Sequence, residues 1–299
     1  MKKLFMVILI IASTIVAEEW PKIYNSNSKG WMDWDKLEQQ MLDSKVIYVG
    51  ELHDHVWGHK IELMLLEKLF SKNAKVAIAL EMFERDTQHI LDGYLTEQLT
   101  EAFFLKNSRP WGNYQSDYRP LIEFCKLYRL PALAMNVPRR YASFVAKDKE
   151  KALATMPDTE KSYMASEIKA LKGKYRDKFY EVMGGHVPPA LVERYYRSQC
   201  LKDDTMAESI VQFLKEKPDT TVISYTGAFH SDESLGVVEK VSALSPKTKK
   251  IVISIVPVSS AKFDPSEHSH KGDFILFAPA NDSKRSEMAT QVLHKLQNN

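Results

Sequence analysis

Four residues stand out for the chemistry that their types allow: Glu51, His53, Glu81 and His230. Glu51 and His53 fall in Gly50-Glu51-Leu52-His53-Asp54-His55, directly after the apolar run 46–49, and Glu81 follows the run 76–80. Asn136 follows 132–135, and Gly227-Ala228-Phe229-His230 comes just after 222–225. A carboxylate beside an imidazole can orient it for proton transfer, and the same group offers His and Glu ligands to a metal. A single Glu or His in such a place is an ordinary hydrogen-bonding residue; the convergence of several is what outlines a site.

The elements that must position them are short apolar runs without clean alternation, at 46–49, 76–80, 132–135, 222–225, 251–256 and 274–277. Such runs suit strands covered on both faces, as in a parallel sheet under helices. Helical patterns at 59–72 and at 121–128, the latter after Pro120, separate them. The expected fold class is therefore α/β, a mainly parallel sheet flanked by helices on both faces through right-handed crossovers. Ligands of open α/β sheets bind outside the carboxyl ends of the strands, where the four residues fall.

The interval between Asn136 and Val222 breaks this rhythm, with amphipathic segments at 141–154, 158–183 and 189–215 and no convincing strand. It reads as a smaller inserted all-helical domain whose last helix returns to the sheet. The expected division is a signal peptide at 1–17, an α/β sheet domain at 18–140 and 216–299, and a helical subdomain at 141–215.

The leader reading rests on Lys2 and Lys3 before an apolar run too short to span a bilayer, and on Ala17 as the favoured cleavage position. The protein is expected to be exported to the periplasm or the outer-membrane periphery, and no cysteine stands near the cut to carry a lipid. Loss of the leader removes two lysines and leaves 39 basic against 39 acidic residues. A neutral protein has no electrostatic reason to seek nucleic acid. Composition, 44% apolar and 27% charged, excludes a disordered or disulfide-scaffold chain. In an oxidising compartment a Cys125–Cys200 disulfide is chemically open to the chain, although sequence cannot derive it.

Nucleotide-binding glycine signatures and the Gly-x-Ser-x-Gly nucleophile elbow are absent. His55 and His59 have the spacing of a zinc pair but lack the intervening Glu, and read as a polar loop and first helical turn. In the helical insertion, Tyr175, Phe179 and Val182 share a stripe if 158–183 is one helix, with His186 just past Gly184-Gly185. Tyr196, Gln199, Asp203, Met206, Ala207 and Ile210 form a second stripe, polar first and apolar last. Burying its polar half requires partners or a ligand. An apolar groove with Tyr and His could accept haem, Tyr being an axial ligand to iron; the absence of Cys-x-x-Cys-His excludes covalent attachment.

Several of these motifs occur together in one known family. Gly50-Glu51-Leu52-His53-Asp54 with His59, Ala79-Leu80-Glu81-Met82-Phe83 with Gln88, Trp111-x-x-Tyr114-x-x-x-Tyr118-x-Pro120, Asn136-x-Pro138 and Gln199-x-x-x-Asp203-x-x-Met206-Ala207 resemble the ChaN-like haem-binding family, in order from about residue 48 to 230. The resemblance implies a protein of haem or iron uptake or storage that binds non-covalent ferric haem in a pocket completed by a homodimer. It implies an iron held by a Tyr of one subunit, and propionates held by a His and a Lys of the other. Tyr175 matches the ligand, with Tyr196 as its alternative; His186 matches the propionate partner, and Lys174 is taken from the group Lys172, Lys174 and Lys178. An outer-membrane haem receptor is a candidate partner. Relatives in the wider family include an esterase group with Glu and His at the same strand ends, so the alternative function is a hydrolase using Glu51, His53, Glu81 and His230.

Overall fold

The computed structural model describes residues 20–72, 74–184, 187–259 and 262–281, so the leader and His186 lie outside the described residues. In chain order the elements are β1 (Lys22–Asn25), β2 (Gly30–Met32), α1 (Trp34–Leu42), β3 (Val46–Glu51), α2 (Val56–Ser71), β4 (Val76–Glu84), α3 (Gln88–Leu95), α4 (Glu101–Asn107) and α5 (Arg119–Tyr128). There follow β5 (Ala132–Asn136), α6 (Arg139–Ala146), α7 (Lys151–Ala154), α8 (Asp158–Lys161), α9 (Lys174–Gly184), α10 (Pro189–Glu216), β6 (Thr221–Gly227), α11 (Val237–Leu244), β7 (Lys250–Val258) and β8 (Phe274–Pro279). One sheet of eight strands has the order β2-β1-β8-β7-β3-β6-β4-β5. All six apolar runs are strands of its parallel part, while β1 and β2 add an antiparallel edge against β8.

Successive side chains point to opposite faces of a strand, and here both faces are covered, which is why the runs show no polar alternation. Ile47, Val49, Ile78, Leu80, Ile223 and Tyr225 pack against Ile61, Leu65 and Leu69 of α2 and Leu121, Ile122 and Cys125 of α5. Val46, Tyr48, Ala77, Ala79 and Val222 face the other way, onto Met206, Ala207 and Ile210 of α10 and Val237, Val238 and Val241 of α11. The apolar half of the α10 stripe is thus sheet core, and the last helix of the insertion does return to the sheet.

Two helical expectations need correction. The segment 158–183 is not one helix: it is α8, an irregular stretch, and α9. The break is enforced by tertiary bonds, since the Ala165 amide donates to Thr205 Oγ1 and the Lys169 amide to Asp204 Oδ2, and Gly173 takes φ +137°. As a result Tyr175 and Phe179 are buried while Val182 is 55% exposed, so the proposed stripe ends early. The segment 141–154 likewise divides into α6 and α7 around Asp148, which has a left-handed backbone. Cys125 and Cys200 are both buried and unbridged, one on each side of the sheet. Among the described residues no helix is long and apolar enough to cross a membrane.

Candidate functional site

Glu51 closes β3, and both it and His53 face the crevice at the carboxyl ends of the strands. His53 Nδ1 donates to Glu51 Oε1 at 2.6 Å, and the Tyr118 hydroxyl donates to the same oxygen at 2.8 Å. The His53 side chain stays 42% exposed while Glu51 is sealed, and its ring lies edge-on to Trp111 at 4.8 Å. Gly227 allows this placement: a Cβ there would lie 2.7 Å from His53 Nε2.

Glu81 does not end its strand, as the apolar run suggests; β4 continues to Glu84 with a register break between Leu80 and Glu84. A bulge of this kind re-aims the side chains it carries. The Glu81 carboxylate accepts from the Gly227 amide at 2.8 Å and lies 3.3 Å from His230 Nε2. Asn136, at the end of β5, ties the bulge by donating to the Glu81 carbonyl at 2.9 Å.

His230 follows β6 in a single 3-10 turn and is held between two carboxylates. Its Nδ1 donates to Asp203 Oδ1 of α10 at 2.6 Å. Asp203 Oδ2 in turn accepts the Tyr175 hydroxyl of α9 at 2.6 Å, so the helical insertion and the sheet meet in one buried chain, Glu81–His230–Asp203–Tyr175. Here the polar half of the α10 stripe finds its partners. The Gln199 amide reaches the Tyr175 hydroxyl at 3.4 Å. The remaining sequence-derived residues lie around this chain: Tyr196 is buried beside Tyr175 and donates to the Leu171 carbonyl at 2.6 Å, and Lys174 is exposed and paired with Glu233.

Charge on the chain follows from these contacts. Burial opposes ionisation of Glu81, but the His230 charge and hydrogen bond outweigh it and hold the carboxyl down at about 2. Burial likewise disfavours charged His230, yet Glu81 and Asp203 push it up to about 10. Glu51 is held well below the carboxylate range despite its burial, by its close neighbours Glu62, His53 and His59. Burial and Asp203 raise Tyr175 well above an ordinary phenol.

The signs fix a stability profile. Glu81 is lowered on folding, so its contribution is complete above its ordinary 4.5 and is lost as pH falls through about 2. His230 is raised, so its contribution is complete below its ordinary 6.5 and is lost as pH rises through about 10. Urea midpoints measured across this range should form a plateau with an acid and an alkaline fall, and His230→Gln should lack the alkaline fall that these two carboxylates create. An unchanged alkaline limb in that variant would remove His230 as its source.

Asp203 and Tyr175 were visible in sequence as members of stripes, but nothing in sequence joined them to the strand ends. Tyr118 was one of the motif residues with no role attached, and Trp111 likewise; the structure places both at His53.

A family model described as haem-binding uptake, Tiki superfamily, ChaN, matches residues 37–241. Cofacially haem-bound ChaN of Campylobacter jejuni superposes with a TM-score of 0.65 at 15% identity, over 87% of this chain and 97% of that one. The type III effector HopBA1 superposes with a TM-score of 0.50 at 12% identity, over 83% and 93%. A mutant of the erythromycin esterase EreC in its open conformation reaches 0.47 at 13% identity, over 87% and 84%. At these identities the likeness is one of fold. No curated protein matches the chain.

Proposed function

This chain belongs to the haem-binding uptake family of the Tiki superfamily represented by ChaN, and on that premise we propose that it binds non-covalent ferric haem through a tyrosine ligand and serves haem or iron uptake or storage. The observation that carries the reading is the Tyr175–Asp203 hydrogen bond of 2.6 Å. A phenol holds ferric iron as its phenolate, and a free one ionises only near pH ~10, so a ligand tyrosine needs somewhere to send its proton. Asp203 lies within reach to receive it, and the ferric charge would have to outweigh the burial and the Asp203 charge that raise Tyr175. Tyr196 donates to a backbone carbonyl, which cannot, and this ranks Tyr175 ahead of it.

The surroundings fit the group. Tyr196 and Phe229 present rings to Tyr175 and Phe179 packs on both of them, with centroid contacts of 5.4 to 6.0 Å between neighbours, an aromatic wall suited to a porphyrin face. When bound, haem would supply a ferric iron for Tyr175 to hold and two propionates that need cationic or hydrogen-bonding partners. Tyr175 is buried, so ligation requires α9 to move, and Gly173 at its start is the position best able to absorb that change. His186 and Lys174 are assigned to the propionates, contributed by a second copy that completes the pocket. Before binding, Lys174 is engaged with Glu233 at 2.6 Å but remains largely exposed.

After loss of the leader the protein is placed in the periplasm or at the outer-membrane periphery, with an outer-membrane haem receptor as partner. The test is a titration of the purified mature protein with ferric haem, followed by absorbance and sedimentation. Stoichiometric binding accompanied by dimer formation supports the reading; no binding ends it, and binding by a monomer removes the shared pocket.

A second reading is favoured by one observation. Glu51 holds Nδ1 of His53 while the imidazole remains partly exposed over the crevice, the arrangement of an oriented acid–base group. A hydrolase built on Glu51, His53, Glu81 and His230 would show ester turnover that falls by about 100-fold or more in His53→Ala. Haem titration of that variant should be unchanged. Equal turnover in the variant and the parent would eliminate this reading.

A further inference from the structure

Beneath the crevice lie two residues that neither reading uses. His59 and Glu62, one turn apart on α2, face β3, where the second oxygen of Glu51 meets them. His59 Nδ1 lies 3.0 Å from Glu62 Oε2 and 3.3 Å from Glu51 Oε2. Both carboxylates are fully sealed from solvent and the imidazole is 4% exposed. One donor atom from each residue can be chosen so that all three lie within 4.8 Å of one another.

Two features mark this as more than a packed ion pair. Glu51 Oε2 and Glu62 Oε1 are buried with no donor in hydrogen-bonding geometry, His59 Nδ1 standing 3.3 Å from Glu51 Oε2, a costly arrangement for carboxylate oxygens unless a cation meets them. The far side of the imidazole is anchored as metal-bound histidines are: Nε2 donates to the His53 carbonyl at 3.2 Å, with Asp117 Oδ2 at 3.7 Å and Asn113 donating to that oxygen at 2.9 Å. That leaves Nδ1 directed at the two carboxylates.

We propose that Glu51, His59 and Glu62 form a binding site for a divalent transition-metal cation. One imidazole nitrogen with carboxylate oxygens suits Zn2+, Mn2+, Fe2+ or Co2+ better than Cu+ or an iron–sulfur cluster, which would call for sulfur ligands. The ion would fasten α2 to β3 and fix Glu51, whose other oxygen carries His53 and Tyr118. The assignment is independent of haem binding.

The competing arrangement is a shared proton, since burial and the adjacent Glu51 push Glu62 well above the carboxylate range. Glu62→Gln separates the two, because an amide has the shape of the protonated acid and leaves the fold intact under either. Chelator-treated mature protein, the Glu62→Gln variant and a His53→Ala variant would be titrated with Co2+, followed by visible absorbance and calorimetry, with circular dichroism as the check on folding. The expected result is one Co2+ per parent chain, affinity at least about tenfold weaker in folded Glu62→Gln, and retention in His53→Ala. Absence of stoichiometric uptake by the parent, equal affinity in Glu62→Gln, or loss confined to His53→Ala would each overturn the proposal.

Discussion

Tyr175→Phe is expected to bind ferric haem roughly 100-fold or more weakly than the parent chain and to lose the visible absorption of an iron-bound phenolate. Loss of groups that only orient a metal ligand already costs about 10- to 100-fold, so loss of the ligand should reach the upper end of that range. The variant keeps the ring and its contacts with Phe229 and Tyr196, so the aromatic wall is not what the experiment removes. It does take one hydrogen bond from the buried Asp203 carboxylate, at a cost of about 1–3 kcal/mol, so folding must be checked by urea denaturation alongside. Tyr196→Phe, which loses only its bond to the Leu171 carbonyl, should retain the spectrum. Were Tyr196→Phe to lose it and Tyr175→Phe to keep it, the ligand assignment would pass to Tyr196.

Asp203→Ala should be among the most destabilising single substitutions in the protein, by about 3 kcal/mol in urea denaturation at neutral pH. Asp203 is fully buried and holds two groups at once, His230 on one oxygen and Tyr175 on the other. Removing it leaves a buried imidazolium with Glu81 as its remaining carboxylate and a buried phenol without its acceptor. Breaking a buried pair from one side costs about 3–5 kcal/mol because of the charge left behind, and Glu81 keeps the cost near the lower end. Against a total stability on the order of 5–15 kcal/mol this is a large share. In a double-mutant cycle His230→Gln should recover part of the loss, since the stranded charge goes with it. Additive losses would show that the two residues do not act together.

The sheet was legible because its strands are covered on both faces. Buried parallel strands such as 46–49 and 76–80 carry unbroken apolar runs that few other structures tolerate, and each leads within two residues to a carboxylate that enters the crevice. β1 and β2 leave little trace in the sequence, since Lys22–Asn25 and Gly30–Met32 are short edge strands with little apolar signal. The bulge that turns Glu81 was hidden as well, because it depends on pairing with β5 rather than on any local residue pattern. The single helix expected over 158–183 failed for a similar reason: helical periodicity there was overridden by Thr205 and Asp204, which take the backbone amides of 165 and 169.

What sequence alone determined, then, is the α/β class, the convergence of Glu51, His53, Glu81 and His230 near the carboxyl ends of the strands, though not that β4 runs on to Glu84, and the family. Each of these rests on local order along the chain, where burial leaves its mark on neighbouring residues. Only the tertiary structure decided that Asp203 bridges His230 and Tyr175, and that His59 and Glu62 turn toward the second oxygen of Glu51. A stripe on a helix reports that one face is covered, but the partner is set by how that helix crosses the sheet. α10 lays its apolar half on Val46, Ala77 and Val222 and thereby carries its polar half to the strand ends, a geometry fixed by packing over the whole sheet and written in no single segment.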